Sequence, residues 1–112
     1  MSYLSQIRVV LTQDKPDLSK IGIKEISYAL TDIIGQAREA RWKNRQEANR
    51  LQAEIPQIFQ LKAMKFAQLG EDALADEMQK VRKKLRDPDR INIYDQTYLD
   101  CLIEAEKTLP RD

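Results

Sequence analysis

Apolar residues recur along this chain at spacings of three and four, the period of an amphipathic helix rather than of a strand. From Tyr3 to Thr12, Leu4, Ile7 and Leu11 share one face, and Ser2 is placed to cap the start. The pair Val9-Val10 keeps a strand open as the alternative there. Asp14-Lys15-Pro16-Asp17 reads as a turn, because Pro16 drives Lys15 out of helical geometry. A second helix is expected to open near Asp17 or Ser19, with Ile23, Ile26, Leu30, Ile33, Ile34 and Ala37 in one stripe. Gly35, inside that stripe, reads as a point where a neighbouring helix comes close.

From Arg38 to Arg50 the stripe almost vanishes, and only Ala37, Ala40, Trp42 and Ala48 are suited to face a core. Nothing in this stretch signals a helix end, so the helix is expected to run on as a long, partly polar spine. The apolar pattern returns at Leu51, Ile55, Ile58, Phe59, Leu61, Phe66 and Leu69, with Pro56 in its middle predicting a break or a strong kink. Gly70 then suits a left-handed helix stop, and Asp72 the cap of the next helix. Leu74, Met78, Val81 and Leu85 follow at spacings of 4, 3 and 4, which places all four in a core. Residues 57–69 and 73–86 should therefore form a helical hairpin with a very short turn. Asp87-Pro88-Asp89 stops it, and residues 90–94 read as a connector with apolar anchors. Asp95 or Thr97 is expected to cap a last helix carrying Tyr98, Leu99, Leu102, Ile103 and Leu109, closed by Pro110. The fold expected is all-α: a single domain over residues 1–112, four or five helices with one long spine helix and a hairpin at about 57–86.

Composition narrows the function classes. Ile, Leu, Val and Phe make up a quarter of the 112 residues, enough for a small core and too much for a disordered polymer. No stretch is long and apolar enough for a membrane span. MSYLSQIRVV has neither a basic start nor an apolar run, so no signal peptide is expected and a cytoplasmic setting follows. The single cysteine, Cys101, excludes an internal disulfide framework. The chain has no histidine, which removes His acid–base catalysis, Ser-His and Cys-His nucleophiles, and nearly all zinc and iron sites. No glycine-rich loop is present to cradle a phosphate. Glu71, Asp72, Asp76 and Glu77 cluster at a helix start, where negative charge complements the helix dipole without any metal. Cys101, among Leu99, Leu102 and Ile103, reads as a core residue. No cofactor, metal or enzymatic role is expected.

Two basic patches remain. The first holds Arg38, Arg41, Lys43, Arg45 and Arg50 beside Trp42, the only tryptophan, with Arg38, Arg41 and Arg45 on one helix face. The second holds Lys80, Arg82, Lys83, Lys84 and Arg86, with Arg90 beyond them. Cations interleaved with an aromatic suit single-stranded nucleic acid, whose phosphates and bases they would contact. The formal net charge, however, is only +1, whereas nucleic-acid binders carry a larger excess. Residues 95–112 hold five acids against two bases, so the patches also suit head-to-tail pairing of copies or docking on another protein. A spine of about 30 residues would span about 45 Å, beyond the reach of a globule with a radius of gyration of about 13 Å. That mismatch, too, asks for a partner. The expected function is a non-enzymatic assembly, adaptor or accessory subunit of bacterial or phage type, acting on another protein or on copies of itself. The alternative is an accessory factor for single-stranded DNA or RNA that uses Trp42 and the flanking bases.

Overall fold

A computed structural model of the chain describes residues 2–89 and 93–109. All regular structure among them is helical: α1 (Tyr3–Leu11), a single 3-10 turn (Leu18–Lys20), α2 (Ile23–Lys43), α3 (Arg45–Leu69), α4 (Glu71–Leu85) and α5 (Ile93–Glu106). Ser2 caps α1, its Oγ accepting from the Ser5 amide at 3.2 Å, so the strand alternative falls. Asp17 does act as a cap, but only for the 3-10 turn, through its contact with the Ser19 amide at 3.1 Å. The second helix opens later, at Ile23.

α3 is the centre of the molecule. It packs against α2 on one side and against α4 and α5 on the other, while α1 lies on α2. Ser27 and Lys62 line one groove although each lies far in sequence from Asn44, so α2 runs back along α3. Lys62 and Glu77 likewise meet at 3.9 Å across Gly70, as a hairpin of α3 and α4 requires. Gly70 is the only residue between these helices, and its φ of 119° with ψ of 168° is open to glycine alone. Asp72 is not the cap; α4 starts one residue earlier, at Glu71.

The core follows the expected stripes. Ile26, Leu30, Ile33 and Ala37 of α2 meet Leu51, Ile55, Ile58, Phe59 and Leu61 of α3. Leu74, Met78 and Val81 of α4 and Tyr98, Leu99 and Leu102 of α5 complete it, and among the described residues no polar or charged residue is buried apart from Tyr98. Leu85 departs from expectation: it is half-buried at the end of α4 and packs on the core from outside.

Four further expectations are corrected. The long spine through residues 38–50 does not exist, because the helix breaks at Asn44. The break expected at Pro56 is absent: α3 runs through it for 25 residues, about 37 Å. Pro56 is exposed, so its missing N–H forfeits one helical hydrogen bond while buried Ile55, Ile58 and Phe59 hold the helix in place. Gly35 faces solvent, with nothing within 4 Å of where a Cβ would sit, so no helix approaches it. The connector of residues 90–94 yields Ile93 and Tyr94 to α5, which opens ahead of both expected caps; Arg90 and Pro110 lie outside the described residues.

Because α2 folds back on α3, no helix outreaches the domain. The molecule measures 51 × 38 × 19 Å with a radius of gyration of 14.6 Å, a slab about two helices thick. An overlong spine therefore gives no reason for a partner; any such reason lies in the surface. No helix among the described residues is long and apolar enough to cross a membrane.

Candidate functional site

The first basic patch sits on the corner where α2 hands over to α3. Asn44 makes that corner without a loop. Its extended backbone (φ −156°, ψ 106°) turns the chain, and its N–H closes α2 on the Ala40 carbonyl at 2.8 Å. Its Oδ1 accepts from the Gln46 and Glu47 amides at 3.1 and 3.3 Å, opening α3. Trp42 stands two residues short of the bend and is 90 % exposed. Ala37 and Ala48 are buried and Ala40 half-buried, as expected, but Trp42 faces water rather than a core.

The five cations of this patch fall into two groups. Lys43 pairs with Glu39 at 2.8 Å, and that bond with its charge holds the Glu39 carboxyl below its usual range. Arg50 grips Glu47 and reaches Glu54 at 2.9 Å; its bond to Glu47 lowers that carboxyl and raises the guanidinium. These two cations are neutralised within the chain. Arg38, Arg41 and Arg45 are exposed and make no ion pair among the described residues. Arg41 suits the negative end of the α2 dipole, but Arg45 is the first residue of α3, where a helix disfavours a cation. The corner thus presents an exposed indole near three exposed arginines that make no ion pair among the described residues.

The second patch lies along the end of α4. Lys80, Arg82, Lys83, Lys84 and Arg86 are all exposed, with no ion pair among the described residues. Arg82, Lys83 and Lys84 occupy the last turn, so the helix dipole accounts for part of this patch. Lys62, which no sequence pattern singles out, stands between the patches. It lines a groove of about 330 Å³ with Arg38 and Asp95. Burial lowers its pKa against the pull of Glu77, and the charge of Lys84 lowers it further.

A third surface was not legible in the sequence. α3 and α5 enclose an open groove of about 460 Å³. Met64, Cys101 and Ala105 give it an apolar floor, Asp100 and Glu104 stand on its edge, and among the described residues no basic side chain lines it. Cys101 is half-buried there, at the groove rather than within the core; burial, and then the nearby Asp100, push its thiol pKa up, which keeps it a poor nucleophile. Glu71, Asp72 and Asp76 are exposed, and the described residues contain no group of side chains set to hold a metal ion. The remaining acid of that cluster, Glu77, turns inward to Tyr98.

Comparison with known protein families, with curated proteins and with solved structures returns no match.

Proposed function

We propose that this chain is a non-enzymatic, cytoplasmic assembly or adaptor protein that acts through protein contacts, with the α2–α3 corner as its point of attachment. The observation that carries this reading is Trp42. An aromatic ring left in water forgoes a few kcal/mol of burial, and this one is 90 % exposed while smaller apolar residues nearby are covered. Tryptophan and arginine are the residues most enriched among those that dominate binding between proteins. Here Trp42 stands with Arg38, Arg41 and Arg45 about a bend at which Asn44 caps both helix ends.

Four exposed cations of α4 and the Arg86 that follows it, none in an ion pair among the described residues, favour a second reading, an accessory factor on single-stranded DNA or RNA. Two observations weigh against it. The net charge is only +1. The groove linking Arg38 to Lys62 also contains the acid Asp95, which would meet a phosphate there.

The test is light scattering and Trp42 fluorescence at moderate salt, with and without a short single-stranded oligonucleotide. The protein-contact reading expects the oligonucleotide to change neither mass nor emission. Tight binding that weakens steeply with salt, and that Trp42→Ala reduces about tenfold or more, would establish the nucleic-acid reading instead.

A further inference from the structure

We infer that the corner's partner is a second copy of this chain, with Trp42 of one copy seated in the α3–α5 groove of the next. This rests on the corner being a protein-contact surface and adds what it contacts. The two surfaces complement each other in shape and in charge. Trp42 projects from a bend, and the groove offers an open apolar floor of Met64, Cys101 and Ala105. The groove's volume of about 460 Å³ accommodates an indole with room for flanking side chains.

Charge fixes the match. Residues 38–45 carry four cations against the single acid Glu39, whereas residues 93–106 of α5 carry four acids and no cation. Asp100 and Glu104, on the groove's edge, are exposed and stand one turn apart. Arg38 and Arg41 likewise stand one turn apart on α2, Arg45 lies just across the bend, and none of the three makes an ion pair among the described residues. Among the described residues the Asp100 side chain holds only Gln96, at 2.9 Å, and that of Glu104 only the exposed Lys107, at 3.0 Å; an incoming guanidinium displaces either readily.

A molecule cannot fill its own groove. Arg45 opens α3, and Gln60, the nearest groove residue on that helix, lies about 23 Å further along it. The contact therefore joins unlike faces of two copies, head to tail, leaving one corner and one groove free for further copies unless the arrangement closes.

Complementation tests this. Trp42→Ala removes the head, and the double variant Asp100→Lys/Glu104→Lys removes the tail; circular dichroism and melting confirm that each stays folded, since all three side chains are exposed. Wild type should associate as its concentration rises. Each variant alone should associate at least about tenfold more weakly and run as the 13.1 kDa monomer. Mixed, they should form a one-to-one complex, because one intact head then meets one intact tail. A mixture that stays monomeric overturns the inference, as does a wild type that remains monomeric at high micromolar concentration. If Asp100→Lys/Glu104→Lys associates like wild type while Trp42→Ala does not, the groove is wrong and the corner stands. If Trp42→Ala associates like wild type, the corner reading fails with it.

Discussion

Glu77 is held from two helices: the Tyr98 hydroxyl donates to its Oε2 at 2.6 Å, and Lys62 Nζ stands 3.9 Å away, over the Tyr98 ring. Burial, then the bond to Glu77, push the Tyr98 pKa well above the ordinary tyrosine range. An unfolded tyrosine ionises at about pH 10, so the folded chain keeps a proton that the unfolded chain loses. The stability from this contact is present below about pH 10 and fades as pH rises above it. Lys62, whose pKa burial lowers, works in the opposite sense below its unfolded value. Tyr98→Phe should cost about 1–3 kcal/mol at neutral pH, with the gap to wild type narrowing in urea titrations above about pH 10. Parallel profiles would contradict the assignment. Burial sets a second contrast along α4. Leu74→Ala should cost about 2–5 kcal/mol and Leu85→Ala less, since only Leu74 is sealed from solvent; equal losses would place the end of α4 inside the core. These residues were unequally legible. The 4, 3, 4 spacing announces the α4 stripe, whereas nothing local ties Lys62, Glu77 and Tyr98, which meet only once α3, α4 and α5 have packed.

The corner shows how a helix is ended when neither glycine nor proline marks the place. Asn44 is a preferred cap, and Glu47 three residues later completes the familiar acidic signature of a helix start. That signal is present in the sequence, and so is the loss of apolar stripe around it; together they mark a solvent-facing bend rather than a polar spine. Pro56 misleads in the other direction. A proline reads as a helix end, yet an exposed one inside a strongly packed stripe gives up a single bond and is carried along. The order and number of helices were thus legible from apolar spacing, while the breaks followed capping and burial. Asn44→Ala should lower stability by about 0.5–2 kcal/mol, read as a shift in the urea midpoint, because two α3 amides lose their acceptor. It should also loosen the angle at which Trp42 is presented and weaken association by more than the stability loss alone. An Asn44→Ala protein with unchanged stability would show that the bend is held by packing and not by its cap.

At the scale of the molecule, a nearly neutral chain has its charge sorted in space: bare cations at the α2–α3 corner and along the end of α4, acids along α5. Composition shows the near-neutral total and the sequence shows the segments, but only the fold shows that Lys43 and Arg50 are neutralised internally while Arg38, Arg41 and Arg45 make no ion pair among the described residues. It also shows the groove, whose floor draws on Met64 of α3 as well as Cys101 and Ala105 of α5 and so could not be read from one segment. Contacts between such exposed charges should weaken as salt shortens the screening length, and association should fall accordingly. The account turns on whether the exposed indole is covered by protein. Trp42 is the only tryptophan, so its emission reports on the corner alone. The most direct measurement follows that emission, and its quenching by acrylamide, as protein concentration rises and mass is monitored in parallel. The account predicts a blue shift and a loss of quenching in step with the growing mass, both abolished by Asp100→Lys/Glu104→Lys. An indole that stays red-shifted and freely quenched at every concentration, whatever the mass, would contradict it.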